Sequence, residues 1–223
     1  MSVSSNVKAL RERMASACLR ANRGPESVLL VAVSKRRSAT EIRAAYEAGI
    51  RDFGENRVNE ALEKREAFPK NCRRHMVGHL QSNKAREAVA LFDLIHSVDS
   101  VELAQKISKC AKDAGKIQDI LLEVNISGEA SKQGFSPNEV LGAVREISAL
   151  PNVKLAGLMA MAPLPPNPET ARIVFRKLRE LRDSARQETG LELPHLSMGM
   201  TDDFEAAIEE GATMVRIGRA IFD

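Results

Sequence analysis

Val28-Leu29-Leu30-Val31-Ala32-Val33-Ser34-Lys35 is an unbroken run of β-branched and aliphatic residues that stops at a lysine. A run of this length and composition reads as a strand buried on both faces, the kind that parallel sheets covered by helices contain. Its end is where sheet gives way to loop. An ammonium there is expected to be partly desolvated, a setting that favours the free, nucleophilic amine. Lys35 is therefore a candidate for chemistry, although a lysine after a strand is also what a solvated loop residue looks like.

The pattern of apolar strand and amphipathic helix repeats outward from this run. Upstream, Val7, Leu10, Met14, Ala17 and Cys18 form a helical stripe that ends at Asn22-Arg23-Gly24-Pro25, which predicts a preliminary helix. Downstream, Ser38-Ala39-Thr40-Glu41 is a capping box for a helix to Gly49, and Asp52-Phe53-Gly54 is a second short strand. A helix over Val58, Ala61, Leu62 and Arg65 leads to a third strand, Met76-Val77-Gly78, followed by a helix capped by Ser82. Residues 94–98 are a fourth strand, with Asp99 and Glu102 as the cap signal of the next helix. Residues 120–125 are a fifth, followed by a polar loop, 128–135, that holds Lys132. Ser136-Pro137 opens another helix. Residues 153–161 are a sixth strand, closed by a stiff loop, Ala162-Pro163-Leu164-Pro165-Pro166, and Asn167-Pro168 opens the longest helix. Residues 195–198 and 213–217 are the seventh and eighth strands, with a helix beginning at Thr201 or Asp202 between them.

Eight strands, each followed by a helical pattern, argue for parallel pairing through crossovers. In 223 residues without a composition shift, the expected fold is α/β, a single (β/α)8 TIM barrel spanning residues 1–223 with an additional N-terminal helix. The first strand-to-helix turn lacks GxGxxG, which removes the usual dinucleotide-binding reading.

Composition narrows the function. Hydrophobic residues are 43% and charged residues 28%, and no apolar run approaches the ~18 residues of a membrane span. No export or transit signal opens the chain, so a soluble protein of the cytoplasm is expected. Cys18, Cys72 and Cys110 are widely spaced and read as small hydrophobes, and the four histidines have no metal-ligand spacing. A net charge of +3 is too small and dispersed for a nucleic-acid footprint.

In such a barrel the strand ends open onto one face, where active sites lie. The residues expected there include Lys35, Asn56, His79, Ser97, Asn125, Met159, Ser197 and Arg216. The same rule places phosphate sites in the loops after strands seven and eight, here Ser197-Met198-Gly199-Met200-Thr201 and Ile217-Gly218-Arg219. Gly199 and Gly218 allow close backbone approach, Thr201 adds a hydroxyl, and a helix N-terminus favours an anion. The alternative is a plain N-cap and a plain turn. Asp202 and Asp203 would repel a phosphate unless their side chains turn away to cap the helix or face solvent. A lysine amine beside a phosphate cradle points to pyridoxal phosphate, which joins an aldehyde to a phosphate.

Blocks along nearly the whole chain carry a resemblance: Ala32-Val33-Ser34-Lys35, Phe53-Gly54-Glu55-Asn56-Arg57, Val77-Gly78-His79-Leu80-Gln81-Ser82-Asn83-Lys84, Val98-Asp99-Ser100, Gly157-Leu158-Met159, Leu196-Ser197-Met198-Gly199-Met200 and Val215-Arg216-Ile217-Gly218. With them the sequence resembles the pyridoxal-phosphate homeostasis proteins, a family related to the barrel domain of alanine racemase. The resemblance implies a fold-type III barrel binding pyridoxal 5'-phosphate, with Lys35 holding it as a Schiff base and Arg216 facing the ring nitrogen. It also implies that Thr201 and the backbone around Gly218 and Arg219 hold the phosphate. Asn56 and Ser197 match positions on the cofactor side, and capping the next helix explains Asn56 equally well. His79 and Lys132 match motif positions for which loop contacts at the barrel mouth are the plain reading. The chain departs from the family pattern at Arg36-Arg37-Ser38, Arg74, Thr201 and Asp223.

The implied role is intracellular buffering or delivery of the cofactor without robust turnover. An arginine on the ring nitrogen weakens the ring as an electron sink. The lone tyrosine, Tyr46, falls in a predicted helix away from the mouth. The expected state is a monomer, with pyridoxal-phosphate-dependent apoenzymes as candidate recipients. The alternatives are a pyridoxal-phosphate-dependent amino-acid racemase and a cofactor-free enzyme acting on a phosphorylated metabolite.

Overall fold

The structure, a computed structural model, describes residues 2–129, 132–163 and 167–223. Most of the proline-rich stretch after the sixth strand, Leu164-Pro165-Pro166, lies outside them, as do Ala130 and Ser131 of the Lys132 loop. Eight strands form a closed barrel in sequence order, with every pair parallel. They are β1 (Leu29–Val33), β2 (Asp52–Glu55), β3 (Arg73–Met76), β4 (Leu94–Val98), β5 (Gln118–Glu123), β6 (Val153–Met159), β7 (His195–Ser197) and β8 (Met214–Ile217). The first helix, α1 (Val3–Arg20), precedes β1, and α2 (Ala39–Glu47), α3 (Val58–Glu63), α4 (Ala85–Leu91) and α5 (Val101–Asp113) follow β1 to β4 in turn. After β5 to β8 come α6 (Val140–Ser148), α7 (Pro168–Thr189), α8 (Phe204–Glu209) and α9 (Arg219–Phe222).

Strand alternation divides the buried residues into two sets. One set, including Ala32, Phe53, Ile95, Ile120, Leu122, Leu158, Leu196 and Val215, packs outward against helix residues such as Ile42, Ile107, Val144 and Phe175 to make the main core. The other points into the barrel, where Leu94, Leu121, Ala156, Met159 and Met214 pack together with Leu29 against them. The barrel is therefore a filled core with its opening at the strand C-termini.

Several boundaries differ from the sequence reading. The third strand begins three residues earlier than expected, because Arg73 to Met76 pair with Asp52 to Glu55. Ser100, not Asp99, caps α5 by accepting from Leu103 N, since Asp99 is turned to His79 at 3.3 Å. Ser82 opens a 3-10 turn ahead of α4. Ser136 donates from its N–H and hydroxyl to the Glu139 carboxylate, and that turn delays α6 to Val140. The helix expected from Thr201 or Asp202 starts only at Phe204, because Asp203 folds back to accept from Met200 N at 2.6 Å.

Candidate functional site

A cavity of about 270 Å³ opens at the C-terminal end of the barrel, between the segments that follow β1, β2, β3, β6, β7 and β8. Of the residues singled out from the sequence, Lys35, Asn56, Thr201, Arg216, Gly218 and Arg219 line it, with Val33, Val77, Met161 and Met200 as the apolar wall. Ser197 does not reach it. It is wholly buried behind Arg216, whose Nη1 donates to the Ser197 hydroxyl at 2.6 Å, so Ser197 belongs to the support of the site.

Lys35 sits on a turn beyond β1, and Arg37 N closes that turn on Ser34 O at 3.0 Å. The side chain is exposed, contrary to the partial desolvation expected of it, and it forms no ion pair among the described residues. What is buried is the base of the turn. The Ser34 hydroxyl donates to Glu55 at 2.6 Å, and Lys64 Nζ donates to Ser34 O, Glu55 and Glu60 at 2.8, 2.7 and 2.9 Å. Burial pushes the Glu55 carboxyl above its ordinary pKa despite these partners. Arg36 adopts φ 60, left-handed for a residue with a Cβ, and its N–H donates to the Glu60 carboxylate. An exposed lysine side chain on a clamped turn results.

Arg216, the third residue of β8, is 5% exposed. Its Nη2 donates to Ala160 O at 3.0 Å, and burial lowers its pKa to about 10, an effect that Glu123 and Asp203 oppose. At pH 7 it remains a cation. Glu123 ends β5 on the inward parity of Leu121, and burial raises its carboxyl to about 7 although Arg216 pulls the other way.

On the β7 and β8 side, the two carboxylates that would repel an anion are both engaged. Asp203 accepts from Met200 N, and Asp202 is paired with Arg219. Gly218 is followed by the short α9, and the N–H groups of Gly218 and Arg219 find no protein acceptor among the described residues. A Cβ on Gly218 would stand 3.3 Å from Val33 O, so glycine keeps this wall open. Gly199 has a different reason. Its φ is +93 and a Cβ would lie 2.6 Å from the Ala207 Cβ, so it is glycine for the packing of α8 and not for access to a ligand.

The remaining strand-end residues serve loops. Ser97 donates to Gly78 O at 2.6 Å, and the Asn125 amide donates to the carbonyls of Glu129 and Lys132. Lys132 pairs with Glu129 at 2.6 Å, and His79 with Asp99. Met159 is buried inside the barrel. Asn56 does not cap α3, whose N-cap is Arg57 without a side-chain bond, and it faces the cavity instead. Two departures from the family pattern meet each other: Arg37 is paired with Asp223 and Glu41 and lies over the Phe222 ring at 5.3 Å. Tyr46 is on α2, bonded to Asn71 and away from the cavity.

Sequence reasoning missed Asp52, His75, His96 and Glu123, which stand behind the cavity. The available signal was polar residues inside apolar strands, as in Leu94-Ile95-His96-Ser97-Val98.

The alanine racemase N-terminal domain model matches residues 5–223. The pyridoxal phosphate homeostasis protein of Aquifex aeolicus is 46% identical over 212 residues, covering 95% of this chain and 93% of its own. The protein of the same name from Pseudomonas aeruginosa is 41% identical, covering 99% and 94%. These relatives are named as homeostasis proteins and not as enzymes. Among solved structures, PipY of Synechococcus elongatus PCC7942 with PLP bound superposes with a TM-score of 0.84 at 40% identity, covering 96% of this chain and 99% of that one. Alanine racemase of Clostridium difficile 630 superposes at 0.76 with 16% identity, over 97% of this chain and 56% of its own, a likeness of fold alone.

Proposed function

The chain belongs to the pyridoxal phosphate homeostasis proteins of the alanine racemase N-terminal domain family, and from that membership we propose that it binds pyridoxal 5'-phosphate in this cavity and buffers or delivers it inside the cell. When bound, the cofactor supplies an aldehyde, a ring nitrogen and a phosphate. The residues present fit all three. Lys35 offers an amine that pairs with no carboxylate among the described residues, on a backbone held by Glu55, Glu60 and Lys64. Arg216 offers a fixed cation for the ring nitrogen. Thr201, Arg219 and the N–H groups of Gly218 and Arg219 offer donors for the phosphate, with Asp202 and Asp203 already occupied. Asn56 and the apolar wall complete the cavity. The observation that carries the reading is that one small cavity collects an exposed lysine, a buried arginine and a donor-rich glycine loop.

The reading is of a carrier. A protonated arginine cannot leave the ring nitrogen a proton of its own, which weakens electron withdrawal. Racemisation also needs a base on the opposite face, and Tyr46, on α2, is bonded to Asn71 in the loop before β3. A placed general base contributes roughly 10²–10⁴-fold, so slow exchange at most is expected. One folded unit, residues 1–223, acts as a monomer in the cytoplasm, and pyridoxal-phosphate-dependent apoenzymes are the recipients. No helix among the described residues is long and apolar enough to cross a membrane.

The test is an absorbance spectrum of the loaded protein before and after borohydride reduction, with mapping of the modified peptide. An imine band and a label on Lys35 are expected, and a label mainly on Lys84 or Lys132 refutes the assignment. Pyridoxal should bind far more weakly than its phosphate ester, since several charge-assisted bonds of ~1.5–3 kcal/mol each are absent. Incubation with L-alanine in D2O should show Cα exchange below about 1 s⁻¹, the lower end of ordinary enzyme rates. Faster turnover favours the racemase reading.

A further inference from the structure

Behind the cavity a single file of buried polar side chains crosses the barrel. Arg216 Nη1 lies 2.6 Å from Ser197 Oγ, which lies 2.8 Å from His96 Nδ1. His96 Nε2 lies 2.9 Å from His75 Nδ1, and His75 Nε2 lies 2.9 Å from Asp52 Oδ1. The file uses five strands, β8, β7, β4, β3 and β2. It ends at the first residue of β2, the barrel end opposite the cavity, where Arg73 also meets Asp52 at 2.7 Å. All five side chains are buried, yet only Arg216 touches the cavity.

The two ends of the file dictate its direction. Arginine has donors only, and an ionised carboxylate has acceptors only. Arg216 therefore donates to Ser197, the Ser197 hydroxyl donates to His96 Nδ1, His96 Nε2–H donates to His75 Nδ1, and His75 Nε2–H donates to Asp52. In this arrangement each imidazole has one donor and one acceptor, both used, so both are neutral. The competing arrangement places a second proton on His75 and turns His96 over to Nδ1–H. It leaves the Ser197 hydroxyl hydrogen without an acceptor, because among the described residues Ser197 Oγ meets only Arg216 and His96, and an unmade buried hydrogen bond is costly. The groups around His96, namely His75 on β3, Arg216 on β8 and His195 on β7, all oppose a charge on it, and burial does so most. Around His75 the partners are His96 and Asp52, with Arg73 behind the carboxylate.

We propose that Ser197, His96, His75 and Asp52 form a one-directional hydrogen-bond chain that fixes the guanidinium plane of Arg216 at the cavity, making them positioning residues for that cation. Nη1 is held by the chain and Nη2 by Ala160 O, so the fork cannot rotate, and its Nε is left without a protein acceptor among the described residues. The chain deepens the cofactor reading, on which its purpose rests, but its existence and its effect on Arg216 do not depend on a ligand. A carboxylate at the far end of the barrel thus reaches the site only through the hydrogen bonds between.

The test uses 15N-labelled protein without ligand at pH 7. Long-range proton–nitrogen correlation should show His75 and His96 both as neutral Nε2–H tautomers. An Nδ1–H tautomer at either, or a doubly protonated His75, overturns the chain. The Arg216 guanidinium should give separate Nη1 and Nη2 signals in the native protein, and Ser197→Ala should merge them by freeing rotation. Signals that stay separate in Ser197→Ala, or that are already merged in the native protein, overturn the positioning role. Both readouts on the native chain stand even if Ser197→Ala fails to fold. With pyridoxal phosphate added, Ser197→Ala should bind about tenfold more weakly, the scale of one hydrogen bond to a charged group. A native chain that shows the tautomers and the separate signals yet binds no pyridoxal phosphate refutes the cofactor reading and leaves the chain standing.

Discussion

The two cations of the cavity are opposites. Lys35 projects from a turn into solvent with no ion pair among the described residues, while Arg216 is buried inside the barrel with its fork held by Ser197 and Ala160. On the β1 side the protein fixes the backbone and leaves the side chain loose. On the β8 side it fixes the side chain itself. A group that must reach and form a bond needs freedom, and a group that must present a charge in one direction needs none, so the contrast matches the roles proposed above for Lys35 and Arg216. The clamp under Lys35, made of Ser34, Glu55, Glu60 and Lys64, is the counterpart of the chain behind Arg216.

The sharpest way to break this contrast is to remove each cation in turn. Lys35→Ala should abolish borohydride-dependent attachment of pyridoxal phosphate, read by intact mass, while urea unfolding stays within about 0.5 kcal/mol of native, as for an exposed residue. Attachment that persists on another lysine would show that the β1 side is not the reacting side. Arg216→Ala should instead cost about 3–5 kcal/mol in the same unfolding measurement, because it strips Glu123 of a buried counter-charge and leaves Ser197 and Ala160 O without their donor. A loss as small as that of Lys35→Ala would mean that the two sides are not built differently.

Glu123 sharpens the β8 side by its pH dependence. Its folded pKa is about 7, raised by burial from 4.5. A raised carboxyl means that the folded state holds the proton more tightly, so the stabilisation is full below about pH 4.5 and is lost as pH rises to about 7. The loss is roughly 2–3 kcal/mol. Glu123→Gln should flatten that part of the stability curve, measured by urea unfolding across pH 4 to 8, and an unchanged slope would reassign it to another group.

The smallest effect joins the two sides. Arg37, two residues after Lys35, pairs with Asp223, which follows β8 and α9. Asp223→Asn should change stability by only about 0.2–1 kcal/mol, since exposed pairs are screened by water, and the difference should fade in high salt. A large, salt-insensitive loss would show that the loops are coupled far more strongly than an exposed pair allows.

Much of this was legible in one dimension. The apolar runs at residues 28–33, 94–98 and 120–123 are strands because a sheet covered on both faces tolerates little else. The capping box at Ser38 and Glu41 forms as its spacing dictates. The caps at Ser100, Ser136 and Asp203 were misplaced, because several adjacent residues can cap and the loop geometry chooses among them. Lys35, Asn56, Thr201, Arg216, Gly218 and Arg219 share one cavity because parallel strands end on one face, a consequence of alternation that needs no coordinates.

The sequence by itself thus determined the strand and helix order, the closed barrel and the face on which the candidate residues meet, since periodicity and crossover connections leave few alternatives. Only the tertiary structure decided which of those residues face outward and which support from behind. Ser197 lies behind Arg216 and not beside it, and Asp52, His75 and His96 join one file although they sit on different strands. The reason is physical: register and barrel closure set which inward side chains become neighbours across the interior, and a hydrogen bond between β3 and β4, or between β4 and β7, has no signature in local spacing.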